Sequence, residues 1–396
     1  MKKKLLLCSV LFVFASSAFA NDSINVSGFA TIAGGYIDDN TVGANSISKT
    51  PGHAGYSSEK IEFQPDSLAA IQISSRLTDD MSVTVQMIGR FSDEEAEVNL
   101  EWAYINYDLF DGVTVQAGRF RPAVYLYSNT LDIGFSYLWI APPSEVYSQV
   151  PMTYTDGLNL LFSHTFENDM TLEASIYASN VNTDLSVSGQ KIPFKFNNLI
   201  GTEFTLGNDY FKLRAGYAKT ELNAELSTLG INDTLPVSIF QALNLQDASG
   251  TFSSLGITVD YKNIIFIGEY AARIIEDSVF TEETASYYTT LGYRMGSLTP
   301  HVTYSAIENT YNKSSLITGA GAIVDATVNG QINAARSAQA TDSNTLTVGM
   351  RYDLNPRACL KFEYQKINKT PQDVQLVPFE QETDANLYNV ALNVIF

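Results

Sequence analysis

Three histidines (His53, His164, His301) and two cysteines (Cys8, Cys359) are all that the chain offers for nucleophilic or zinc chemistry. A hydrolase needs a histidine beside a serine or a carboxylate. His53 lies in a long polar stretch, His164 sits near a turn, and His301 stands alone between Thr299 and Thr303. No cysteine–histidine spacing suits zinc, and no glycine-rich run ends in Gly-Lys-Ser or Gly-Lys-Thr. The run Asp93-Glu94-Glu95-Ala96-Glu97 could attract divalent cations, although runs of this kind are more often solvated loops. The pattern therefore calls for no metal and no cofactor, and bond-making chemistry is weakly served.

The charges carry a clearer signal, because they fall on one parity of a period-two pattern. In MTLEASIYA (170–178), Met170, Leu172, Ala174, Ile176 and Ala178 share one face, while Thr171, Glu173, Ser175 and Tyr177 share the other. YFKLRAGYA (210–218) sets Phe211, Leu213, Ala215 and Tyr217 against Lys212 and Arg214. Such alternation marks strands whose two faces see different surroundings. It places Arg76, Arg90, Lys212, Arg214, Arg273, Arg294 and Arg351 on one face with Glu101, Glu173, Glu203, Glu269 and Glu363. Arg119 and Arg121 stand where the alternation gives out.

The connections decide between a soluble sandwich and a membrane barrel. Short polar turns lie at 78–80, 111–112, 167–169, 207–209, 262–263, 296–297 and 355–357, each with Gly, Asn, Asp or Pro. Between them run long segments, roughly 37–65, 92–98, 121–154, 179–196, 220–250, 274–284, 307–343 and 366–385. Short turns at one end and long loops at the other predict an all-β transmembrane antiparallel barrel of about sixteen strands. The chain closes on YNVALNVIF (388–396), apolar on one parity. In a barrel that strand must pair with the first, SINVSGFATIAGGY, which leaves no open edge. Phe396 is then a closing residue, and Tyr388 and Phe396 mark the two lipid interfaces. Gly28, Ala30 and Gly34 leave the outward face of the first strand unusually thin, a surface a neighbouring barrel could approach.

The N-terminus reads as an export signal: Lys2 to Lys4, an apolar run from Leu5 to Phe14, and Ala18-Phe19-Ala20. Cleavage after Ala20 leaves residues 21–396 as the barrel and moves the formal charge from −19 to −22. That charge excludes nucleic acid as a partner, since phosphate binding needs a basic surface. It also predicts a weak cation preference, because a negative mouth concentrates cations.

The chain resembles the general porins of Gram-negative bacteria. The resemblance rests on the signal, the closing strand ending in Phe396, and WAYINYDLFDGVTVQAGRFRP (102–122), where Gly118-Arg119-Phe120 leads into the long third segment. The Pro-Glu-Phe-Gly-Gly turn of many enterobacterial porins is missing, and Ala141-Pro142-Pro143-Ser144-Glu145 is the nearest stretch. The resemblance implies a homotrimer in the outer membrane, in contact with lipid and lipopolysaccharide and inserted by the barrel-assembly machinery through its last strand. It also implies that loop 121–154 folds into the pore.

The loop acids Asp132, Glu145 and Asp156 are then expected to oppose the wall arginines Arg76, Arg90, Arg119, Arg121, Arg214 and Arg294 across a wet constriction. The loop aromatics Tyr125, Tyr127, Tyr137 and Trp139 have two readings: stacking on a planar solute, or packing the loop onto the wall. The expected function is passive diffusion of small hydrophilic solutes and ions. A solute-selective channel, a barrel enzyme, and an adhesin built on 307–343 are the alternatives.

Overall fold

The computed structural model describes residues 24–38, 56, 60–92, 95–150, 152–187, 190–225, 245–276, 283–310, 341–371 and 383–396. The expected export signal, His53, Asp93-Glu94 and most of 307–343 lie outside the described residues. The first eight strands are β1 (Ile24–Ile37), β2 (Leu68–Arg76), β3 (Met81–Ser92), β4 (Glu95–Phe110), β5 (Val113–Phe120), β6 (Thr155–Thr165), β7 (Thr171–Val187) and β8 (Gln190–Gly207). The remainder are β9 (Phe211–Ala224), β10 (Leu245–Tyr261), β11 (Ile264–Ile275), β12 (Glu283–Tyr293), β13 (Leu298–Thr310), β14 (Thr341–Asn355), β15 (Ala358–Pro371) and β16 (Thr383–Ile395). They form one closed antiparallel barrel in which each strand pairs with its neighbours in sequence and β1 pairs with β16.

All seven short polar stretches fall between consecutive strands. Four of them place Gly112, Asp169, Lys262 and Gly296 at positive φ, the geometry tight turns demand. The opposite ends differ from expectation. Residues 92–98 and 179–196 read as loops, yet β3–β4 and β7–β8 run through them as long hairpins; β7 has 17 residues and β8 has 18. Only about ten residues are needed to cross a bilayer. Above it both faces meet water, so exposed Asn180, Asn182 and Asp184 point outward while Val181 turns inward, and the alternation runs on with its polar side outermost, the reverse of the membrane-zone pattern.

Within the membrane zone the outward parity is apolar. Ile71, Ile73, Leu158, Leu160, Ile176, Phe204, Leu255 and Val348 stay exposed because lipid is their partner. Tyr210, Tyr261, Tyr293 and Tyr352 ring the short-turn end, and Tyr36, Tyr364 and Tyr388 form a cross-strand row near the other. Amphipathic rings belong at both interfaces.

Closure gives Phe396 its place. The Gly28 amide donates to the Phe396 carbonyl at 2.8 Å, and the Phe396 amide returns the bond at 2.9 Å. A Cβ on Gly28 would sit 2.5 Å from the Phe396 ring, and one on Gly34 would sit 2.8 Å from the Phe63 ring. At Gly28 and Gly34 the outward face of β1 is thus covered by the chain's own aromatics, and these two glycines give no argument for a neighbouring barrel there. Gly28→Leu should push the Phe396 ring aside, press on the Ala70 carbonyl oxygen that its Cβ would meet at 2.7 Å, and cost about 1–3 kcal/mol by overpacking. The gel temperature at which the folded barrel loses its compact migration should fall, and an unchanged temperature would show that the ring has another seat.

Candidate functional site

The segment 121–150 lies within the barrel and is itself mostly buried: of its thirty residues nineteen are buried, and only Asn129, Ser136 and Ser148 are exposed. It enters through Gly118, whose φ of 127° turns the end of β5 and whose Cβ would lie 2.3 Å from the Ala103 carbonyl oxygen. Phe120 points inward and packs edge-on against Tyr177 of β7, with centroids 6.2 Å apart.

A four-charge cluster fastens the loop near its start. A β-bulge leaves Glu101 without a cross-strand partner between Trp102 and Leu100, and it turns inward beside Arg90. Bulges re-aim side chains in this way. Arg90 Nη1 lies 2.5 Å from Glu101 Oε1, and its Nη2 lies 2.8 Å from Asp132 Oδ1, in contact but off the hydrogen-bond axis. Arg121 Nη2 donates to Asp132 Oδ2 at 2.5 Å and to Glu101 Oε2 at 3.3 Å, while its Nε reaches the Thr153 carbonyl at 2.8 Å. Two cations and two anions, each at most 5% exposed, neutralise one another. The expected opposition of Asp132 to Arg90 and Arg121 is therefore a dry staple and not a field across water.

Inward cations of the wall grip loop carbonyls. Arg214 donates to Ala123 (2.6 Å) and Val124 (3.3 Å), Arg273 to Gln149 (2.9 Å), and Arg351 to Phe135 (2.6 Å) and Tyr137 (3.0 Å). Arg214 also pairs with Glu203 at 2.9 Å. Lys361, fully buried, donates to the carbonyls of Gly134 and Trp139. Lys361 shares the inward parity of Glu363, and that parity is the signal in the sequence that marks it. Wall carboxylates complete the grip. Glu269 accepts from the Leu126 amide (2.7 Å) and the Tyr147 hydroxyl (2.8 Å), and Glu363 accepts from the Ile140 amide (2.9 Å). From the loop side, Glu145 sits in the one-turn helix α1 (Ser144–Tyr147) and accepts from Ser305 of β13 (2.8 Å) and Thr345 of β14 (2.5 Å).

Four of the expected constriction residues lie elsewhere. Arg119 and Asp156 share the outward parity of Leu158 and Leu160; they form a bidentate pair at 2.8 Å on the outside of the barrel, with Arg119 3.8 Å over the Tyr154 ring. Strand alternation, which holds through β5, overrides the family triplet as a guide to direction. Arg294 opens the turn after β12 and pairs with Asp260 at 2.5 Å, and exposed Arg76 ends β2, so both stand at the short-turn rim. The loop enters and is held nearer the other end.

The aromatics pack on one another and the wall. Tyr125 stacks on Tyr147 at 4.6 Å and meets Phe252 edge-on at 5.2 Å; Trp139 meets Tyr127 at 5.7 Å and Tyr288 at 5.3 Å. Trp139 Nε1 donates to Thr303 at 2.8 Å, and the Tyr137 hydroxyl to the Leu131 carbonyl at 3.0 Å. Tyr125, Tyr137 and Trp139 are buried and offer no open face to a solute. Burial pushes the Tyr125 and Tyr147 phenols well above their ordinary value, so both stay neutral hydrogen-bonding groups. As for the histidines, His164 faces outward between Phe162 and Phe166, and His301 is buried with Glu363 at 3.9 Å and no serine attached.

A closed sixteen-stranded barrel with an apolar belt, tyrosine rings and an inserted, wall-stapled loop defines an outer-membrane channel protein. Residues 7–372 match the Gram-negative porin family, and the chain belongs to it. No curated protein sequence matches the chain. Its fold is similar to that of the outer membrane channel DcaP of Acinetobacter baumannii, at 12% identity and a TM-score of 0.57 over 96% of this chain and 100% of that one. The anion-selective porin of Comamonas acidovorans (10% identity, TM-score 0.56, 94% and 99% covered) shares it. So does Salmonella typhi OmpF (13%, 0.55, 94% and 97%).

Proposed function

We propose that the protein is a passive diffusion channel for small hydrophilic solutes and ions, narrowed by loop 121–154, with a weak preference for cations. The supporting observation is the loop itself: clamped by cations and carboxylates of β3, β4, β9, β11, β14 and β15, it is a fixed restriction rather than a free lid. Because Arg90, Arg121, Arg214, Arg273 and Arg351 are committed to carboxylates or loop carbonyls, they contribute less to the lumen field than bare arginines do. The overall negative charge then weighs more heavily at the mouth.

The protein acts after export with removal of residues 1–20, in contact with lipid and lipopolysaccharide. Insertion proceeds through the C-terminal strand by the barrel-assembly machinery. A homotrimer is the assembly in keeping with the family, and a related barrel, OmpT of Vibrio cholerae, has been described in a trimer form. A mass measured by light scattering in mild detergent tests it.

Discrete ohmic steps in planar bilayers test the channel. Reversal potentials in a salt gradient should show a small cation preference that shrinks at high ionic strength, as screening shortens the reach of the mouth charge. Clear anion preference at low salt would overturn it.

A further inference from the structure

We propose that the seam between the loop and the barrel wall binds a primary ammonium group, as carried by small amine-bearing solutes. The inference rests on the channel reading above and names a solute class for it. A cavity of about 20 Å³ lies where residues 141–145 meet the inner faces of β13 to β16. Its polar lining carries three carboxylates, Glu145 from the loop, Glu363 from β15 and Asp66, with the amides of Asn389 and Gln365 and the hydroxyls of Ser305, Thr345 and Thr347, of which Ser305 and Thr345 donate to Glu145.

Glu145 is 5% exposed, yet its partners are hydroxyls alone: Ser305, Thr345 and, at 3.4 Å, Ser343. Lys361, also on this wall, is already committed to two loop carbonyls. A buried carboxylate held without a cation is costly.

Asn389 supplies a second, independent sign. Its side chain is 8% exposed and its Oδ1 has no donor. Buried acceptors are usually met by a protein group, an ordered water or a ligand, and Asn389 Oδ1, with no protein donor, can take one from the cavity it lines. A primary ammonium carries three N–H donors and one positive charge, which fits these acceptors and the charge of Glu145. The volume also fits, since a water-sized group needs at least about 10–15 Å³. A metal ion fits less well, because among the described residues no three acidic, imidazole or thiol side chains converge closely enough to hold one. Trp139, Pro142 and Pro143 line the same cavity and offer an apolar surface to the carbon attached to the nitrogen.

Trp139 also supplies the readout, because the chain has two tryptophans and Trp102→Phe leaves it alone. The folded barrel in detergent is titrated at constant ionic strength with methylammonium chloride, and separately with tetramethylammonium chloride, which has no N–H donor, and sodium chloride. A saturating change in Trp139 emission with methylammonium only is expected. Asn389→Leu should weaken the midpoint at least tenfold, and so should Glu145→Gln, which keeps the shape and removes the charge. Heat-modified migration of each variant checks that the barrel has formed. An equal response to tetramethylammonium or sodium, or no saturating response, overturns the proposal. Bilayer steps recorded from the same preparation keep the two readings apart: steps without ammonium binding leave the channel standing, and a silent bilayer removes the channel itself.

Discussion

Asp132→Ala should raise single-channel conductance and make the open current noisy, while the barrel still forms. Removing this carboxylate leaves Arg90 and Arg121 buried with Glu101 as their one anion. Breaking a buried ion pair from one side costs about 3–5 kcal/mol, because a desolvated charge is left uncompensated. The loop is the movable partner, since the strands are held by continuous ladders on both sides. The strain should therefore appear as displacement of residues 121–132. A second change discriminates charge imbalance from a simple hole. Arg121→Met combined with Asp132→Leu leaves the Arg90–Glu101 pair balanced and fills the space with apolar groups. Conductance and noise should return most of the way to those of the parent channel, since replacing a buried pair with apolar residues is often neutral. Unchanged conductance in Asp132→Ala would mean that the carbonyl clamps alone hold the loop.

The staple was half visible in the sequence. Inward parity for Arg90, Arg214, Arg273 and Arg351 is readable, because water on one face and lipid on the other print a period of two into each strand. The partners are not readable. Loop carbonyls have no side-chain signature, so nothing in the sequence separates an arginine that lines water from one that grips Ala123 or Tyr137. Glu101 is inward as the sequence parity has it, but the bulge that sets it beside Arg90 and the pairing that results leave no mark in the periodicity. Arg119 and Asp156 show the opposite failure: the alternation looks to end at Arg119, yet it runs on through β5 to Phe120 and sends both side chains outward. Above the bilayer the alternation changes sense, with Asn180, Asn182, Pro193 and Lys195 exposed and Val181, Ile192 and Phe196 buried, so no apolar outward face marks the tall hairpins and β3–β4 and β7–β8 read as loops. The closing strand was the most legible element, because its apolar parity, its aromatic ends and the need to remove a barrel edge all agree.

Trp139→Ala is the second large effect expected, and it separates the two readings of the loop aromatics. The indole is 1% exposed, touches Tyr127, Tyr137 and Tyr288, and donates to Thr303. Truncating a buried tryptophan costs about 3–5 kcal/mol through lost burial and the cavity left behind. Thr303 keeps Thr290 as a partner at 2.7 Å, so the loss is one of packing more than of unsatisfied polarity. Lys361 still has the backbone carbonyls of Gly134 and residue 139, which the substitution does not remove. The barrel should therefore assemble while the middle of the loop loosens, giving higher conductance with frequent flicker. Trp139→Phe keeps an aromatic ring in the cluster and loses the N–H and part of the indole's volume, so its traces should lie between those of Trp139→Ala and the parent channel, nearer the parent. If the aromatics were instead platforms for a planar solute, Trp139→Ala would abolish saturable block by added sugars and leave the solute-free current quiet. A quiet current with lost block is the outcome that would defeat the packing reading.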